Sequence, residues 1–148
     1  MAATKTGVSL NWGGFDKALG KAAHKLGDTQ AIMESGGDAL VSGTLKRFQD
    51  EEDPTGKKWP KSKRAAKKDG QTLTDTALLR RSVDYAATSD KVMVGSNLPY
   101  ARIHQKGGKT GKGHKVDMPA RPYLGVSEED MDEVRETVAD FLAGTFKA

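Results

Sequence analysis

Three histidines, two lysine runs and one arginine held between prolines are the residues whose types and spacing invite a chemical reading. His24, His104 and His114 are the histidines, and no pair has the close helical spacing of a metal motif. Acids do not cluster near them, so His104 reads as a structural hydrogen-bonder rather than a ligand or base. The glycine-lysine stretch Gly107–Lys115 has the composition of a phosphate-binding loop but fails its pattern. Lys106 stands where the first glycine of that loop belongs, and Gly113 stands where Ser or Thr should follow Lys112. The chain has no cysteine, which excludes disulfides, thiolate catalysis and Cys-based zinc sites. No nucleophile elbow is present. These residues therefore form no catalytic set, and no metal or cofactor is expected.

Arg121 lies in Pro119-Ala120-Arg121-Pro122. Two prolines fix φ at about −65° and remove backbone donors, so the segment should be extended and stiff. One guanidinium on a stiff backbone needs little entropy to position. It suits a salt bridge to a partner subunit or, equally, an internal bridge to an acid of the last helix. Tyr100, His104, Gln105, Tyr123 and Trp59 join it as candidate contact residues, the plainer reading for the aromatics being core or core-edge packing.

Lys57, Lys58, Lys61 and Lys63 open the first basic run, and Lys106, Lys109, Lys112 and Lys115 form the second. Either run has the charge to grip phosphate. However, only Trp59 interleaves an aromatic and no arginine cluster offers bidentate geometry, so the first run reads as a solvated, mobile loop. The net charge of +4 hides segregation. Asp50–Asp53 is acidic, and acids return at Glu128, Glu129, Asp130, Asp132, Glu133 and Glu136. Such a map suits subunits that meet head to tail.

The elements that position these residues follow from periodicity. The 148 residues fit one domain, with 36% apolar residues and 17 glycines pointing to a lean core with long polar loops. Residues 1–14 lack a clear period and are expected to be weakly ordered or ordered by contact. Residues 15–52 read as helical. Phe15, Leu19, Ala22, Ala23 and Leu26 share one spacing, ended by Gly27. Ile32, Met33, Gly36, Leu40, Val41, Leu45 and Phe48 share a second, capped by Asp28 or Thr29. Gly36, Gly37 and Gly43 either soften that helix or let a neighbouring backbone approach.

Residues 54–72 form the basic loop. Residues 73–125 hold a short helix capped by Thr74 or Asp75, a hairpin over Ser82–Ser96 and the contact loops. Val83, Tyr85 and Ala87 face one side of that hairpin, with Val92 and Val94 inward. Tyr100–Gln105 fits a helical turn or a short strand. Ser127 caps a long helix over 127–146, with Met131, Val134, Val138, Phe141 and Leu142 on its apolar stripe. No run approaches the roughly 20 apolar residues of a membrane span, and none resembles a signal peptide, so a soluble protein is expected. The fold class is α+β: helices at both ends packing on a small, mostly antiparallel sheet.

Several motifs in order resemble the phage virion morphogenesis family, which holds Mu-like morphogenesis and tail-completion proteins of tailed phages. They are Phe48-x-x-Glu51, Pro54-x-Gly56-x-x-Trp59, Leu73-x-x-Thr76-x-x-Leu79-x-x-Ser82, Tyr100-Ala101-x-Ile103-His104-Gln105-x-Gly107-Gly108 and Pro119–Gly125. The family usually has glycine where Ala77 stands. The resemblance implies a non-enzymatic structural protein of the head–tail junction, or neck, that completes the tail. It implies a ring, sixfold in preference to twelvefold, against connector, neck, tail-terminator or tail-tube proteins. It places the protein in the virion, and in the host cytoplasm during assembly. The basic loops would then face the lumen where packaged DNA passes, or order against the next ring. The alternative is a basic DNA-binding protein using both lysine runs.

Overall fold

In a computed structural model of the chain, residues 6–11, 21, 24, 29–74 and 77–147 are described. The architecture is α+β, with a three-stranded antiparallel sheet of order β1-β3-β2. Its strands are β1 (Thr6–Asn11), β2 (Asp84–Ala87) and β3 (Lys91–Ser96). The register sets Leu10 and Ala87 on either side of Val92, and Val8 and Tyr85 on either side of Val94. These residues share one face because side chains alternate along a strand. Val92 and Val94 are fully buried on it. The expected hairpin is present, and Thr88 closes its turn by accepting from the backbone N–H groups of Asp90 and Lys91 at 3.2 Å each.

Of residues 1–14 the described part, 6–11, is ordered by contact, as strand β1 against β3. Within β1 only Val8 and Leu10 are apolar, too few to show a period. The strand is specified from outside, by the free edge of β3.

Helix α1 (Thr29–Asp50) is the central layer. It packs on β2 and β3 and also against the long C-terminal helix. That last helix therefore rests chiefly on α1 rather than on the sheet. Lys21 and His24 are helical. The other residues expected to shape a preceding helix, and the caps Gly27 and Asp28, lie outside the described residues. Helices α2 (Lys63–Lys68), α3 (Leu78–Ser82) and α4 (Ala101–Lys106) are short. Strands β4 (Gly108–Thr110) and β5 (Val116–Met118) pair into an arm whose tip holds a 3-10 turn at Lys112–His114. Helix α5 (Glu128–Lys147) closes the chain.

The stripe of α1 differs from expectation at several positions: Val41 is only half-buried, and Gly37 joins the buried row. Leu45 is exposed, whereas Thr44 and Arg47 are buried. The true stripe runs through Ile32, Met33, Gly36, Gly37, Leu40, Thr44, Arg47 and Phe48. Two glycines along α1 lie against side chains rather than a backbone. A Cβ at Gly37 would meet the Tyr85 ring, and one at Gly43 would meet the Asp130 carboxylate.

The segment expected as a mobile basic loop is built instead. Asp53 Oδ1 accepts from Thr55 N, Thr55 Oγ1 and Lys57 N at 2.6–3.0 Å. Those donors hold the Asp53 carboxyl below its usual range, with the Thr55 hydroxyl contributing most. Glu52 and Lys58 form a bridge, Trp59 is buried, and Ser62 caps α2. The lysines stay outside while the backbone and Trp59 are fixed.

Candidate functional site

The two stretches that carry the resemblance, His104-Gln105-x-Gly107 and Ala120–Leu124, are in contact with each other. Arg121 N donates to His104 O at 2.8 Å. Gln105 Oε1 accepts from Tyr123 N at 3.0 Å and Leu124 N at 2.9 Å, while its Nε2 donates to Leu124 O at 3.0 Å. One side-chain amide thus satisfies backbone groups that the proline-bounded segment cannot pair in a sheet. Gly107 sits at φ +70°, and a Cβ there would lie 2.7 Å from Ala120 N. Only glycine meets both demands.

The same segment is fastened to α1. Phe48 meets the Trp59 ring edge-on at a centroid distance of 5.6 Å, and the Tyr123 ring lies 5.3 Å away. Trp59 Nε1 donates to Pro122 O at 2.8 Å, and Tyr123 Oη donates to Ala101 O at 2.8 Å. Burial drives the Tyr123 phenol far above its usual range, in keeping with a hydroxyl that only donates. Trp59, Gln105 and Tyr123, expected among the contact residues, therefore serve the interior. Their polar atoms are satisfied within the chain, and Tyr123 is fully buried.

Beside them stands a polar centre that periodicity alone did not single out. Arg47 Nη1 is 2.5 Å from Asp130 Oδ2, Nε donates to Tyr123 O at 2.8 Å, and Nη2 donates to Gly125 O at 3.0 Å and to Thr44 Oγ1 at 3.2 Å. Asp130 also completes a capping box with Ser127. The sequence signal was a charged residue on the apolar stripe of α1. Around this pair lies a cleft of about 790 Å³, lined by Asp50, Glu52, Asp53, Glu128, Glu129 and Glu133 among others. Among the described residues no group of His, Asp and Glu is arranged to hold a metal ion.

Tyr100, His104 and Arg121 come together on a separate groove of about 270 Å³, with Leu78, Leu79 and Met118. The Tyr100 and His104 rings meet edge to face at 6.0 Å. Arg121 is only 6% exposed, yet no acid of α5 or of any other described element pairs with it. Its Nε donates to Pro60 O at 2.6 Å, and Nη1 reaches Met118 Sδ at 3.7 Å. The internal bridge to the last helix is therefore not made. His104 Nδ1 is buried without a partner. Burial, and then the Arg121 charge, hold the His104 pKa below the ordinary 6.5.

The lysines fall on two surfaces. Lys57, Lys61 and Lys63 are exposed on the segment before and into α2, while Lys58 Nζ donates to Asp50 O at 2.7 Å. Lys106 ends α4, and Lys109, Lys112 and Lys115 stand exposed on the β4–β5 arm, where Lys109 reaches Asp117 at 3.3 Å. None of the described helices is long and apolar enough to cross a membrane.

The chain is 33% identical over 125 residues to the Mu-like prophage FluMu G protein 2 of Haemophilus influenzae, covering 84% of this chain and 86% of that protein. It is 35% identical over 118 residues to the putative capsid assembly protein G of Escherichia phage Mu, covering 70% of this chain and 76% of that one. No solved structure matches. The pattern of the phage virion morphogenesis family matches residues 10–143. With nine-tenths of its length so matched, the chain belongs to the phage virion morphogenesis family.

Proposed function

We propose that the protein acts at the head–tail junction of a tailed phage, as a tail-completion or neck component that assembles into a ring. Membership of a virion morphogenesis family supports a structural role in building the particle. The observation that carries the finer reading is how the chain divides its residues. The aromatic, glutamine and proline motifs pair with one another inside the monomer. The surfaces left outside are segregated by charge, with lysines on the β4–β5 arm and acids on α5. A subunit with unlike charged faces suits repeated head-to-tail contact. Interrupting the gene in an inducible prophage tests the reading by electron microscopy. Filled heads beside separate tails are expected, with complete particles restored by the wild-type gene in trans. Failure to build closed heads would move the role to capsid assembly, the activity in the name of the phage Mu relative.

The exposed lysines of both runs favour one second reading, binding to duplex DNA. That reading requires affinity that falls steeply with salt. It also requires loss of binding when Lys57, Lys58, Lys61 and Lys63 are neutralised together, with assembly spared.

A further inference from the structure

We infer that the groove between α3 and α4 is one half of a subunit contact, and that its occupant is the acidic ridge of α5 from a second copy of this chain. This rests on the ring reading above and assigns the two surfaces that meet.

The groove has three features that the folded monomer leaves unexplained. Arg121 is nine-tenths buried and lines it without a carboxylate partner among the described residues. A buried guanidinium held only by a carbonyl and a thioether lacks the counter-charge that burial normally demands. His104 Nδ1 lies beside it, buried and unpartnered. At the rim, Leu78 is 53% and Tyr100 40% exposed. Apolar and aromatic side chains around a cation are the composition of an interface centre. At about 270 Å³ the groove falls below the roughly 300–1,000 Å³ of small-molecule sites, so a side chain fits it better than a cofactor.

The complementary surface lies on α5. Glu128, Glu129, Asp132, Glu133 and Glu136 are exposed. Lys46 meets Glu129 at 2.8 Å and Arg135 meets Asp132 at 3.4 Å. Glu128, Glu133 and Glu136 have no ion pair among the described residues. Glu133 and Glu136, both without an ion pair, are three apart on one helix side, where like charges repel. A cation from outside the monomer removes that repulsion. The ridge borders the acidic cleft, which shares no lining residue with the groove. The two patches thus differ, and a contact between unlike patches is head-to-tail, the kind that closes into rings.

Two surface variants test the assignment by sedimentation and light scattering. Leu78→Ser with Tyr100→Ala damages the groove, and Glu133→Lys with Glu136→Lys damages the ridge. All four positions are exposed, so folding should survive, as circular dichroism checks. The wild type should form a closed oligomer, and each variant alone should self-associate about tenfold or more weakly. An equimolar mixture should stop at a one-to-one dimer, because only one sound groove and one sound ridge remain per pair. Variants that assemble like the wild type overturn the assignment. So does a wild-type chain that stays monomeric at every attainable concentration, or a groove variant that loses only salt-sensitive DNA binding. The head–tail reading is judged separately, by particle morphology after gene interruption, and either result stands without the other.

Discussion

Arg47 on α1 and Asp130 at the start of α5 face each other at 2.5 Å, each with a side chain only 6% exposed. The pair joins the ends of two helices that are 83 residues apart in sequence. Arg47 also holds the carbonyls of Tyr123 and Gly125, so it fixes the proline-bounded segment from behind. Removing one partner strands a buried charge, which typically costs about 3–5 kcal/mol. Arg47→Met and Asp130→Ala should each lower stability by that order in urea unfolding. The double variant should fall short of the sum by about 1 kcal/mol or more, since the second change removes the charge stranded by the first.

Gln105 acts through its two ends at once. Gln105→Ala leaves the N–H groups of Tyr123 and Leu124 without their acceptor, at about 1–3 kcal/mol for each unsatisfied group. Gln105→Glu keeps the acceptor oxygens but loses the bond to Leu124 O, and should be the milder change in thermal unfolding.

The resemblance places glycine where this chain has Ala77, and the backbone explains why. Ala77 sits at φ 62°, ψ 14°, the left-handed region, just before α3. An L-residue there bears about 1–2 kcal/mol of steric cost that glycine avoids, offset in part by glycine's larger unfolded-state entropy. Ala77→Gly should therefore stabilise the protein by about 0.5–1 kcal/mol. A lower melting temperature would mean that the left-handed backbone is not what the position demands.

What was legible in the sequence follows the range of the interaction. The β2–β3 hairpin and α5 were readable because their alternation, turn residues and cap are local signals. The apolar stripe of α1 was readable for the same reason, except where Arg47 and Thr44 replace Leu45 in the buried row. No local pattern announces that a charged residue will be met by an acid 83 positions away. The ordered Asp53–Lys68 segment failed similarly, since Trp59, held by Pro122 O, anchors it from outside, and the sequence offered β1 no more than order by contact, which β3 supplies. Among the candidate contact residues, Tyr100, His104 and Arg121 share one groove, while Trp59, Gln105 and Tyr123 are internal. Composition cannot separate these roles, because an aromatic or amide that anchors a core is chemically the same as one that grips a partner.

Gly37 inverts the usual rule for helices. Replacing a mid-helix glycine by alanine ordinarily stabilises by about 1 kcal/mol. Here the new methyl would run into the Tyr85 ring, whose nearest atoms leave no room for it. Overpacking of this kind costs about 1–3 kcal/mol, so Gly37→Ala should be destabilising. Adding Tyr85→Ala should return part of the helix-propensity gain, and chemical denaturation of the single and double variants reads the reversal directly.

His104 gives the fold a pH dependence whose sign is fixed by its surroundings. Burial and the adjacent Arg121 hold its folded pKa below 6.5, so the folded chain binds this proton less readily than the unfolded chain. Stability then rises with pH through that window. The contribution is fully present above about pH 6.5 and is lost as the pH falls from there toward the depressed folded value. His104→Gln cannot take up the proton, so its stability should fall less than the wild type's between about pH 7 and pH 5. Carboxylates that begin to titrate near the acid end act on both chains alike, so the difference between the two curves isolates His104. Ring-proton NMR supplies the independent check, with a folded His104 pKa below 6.5 expected. A value above 6.5 would require a carboxylate within reach of the imidazole, which none of the described residues of the monomer provides.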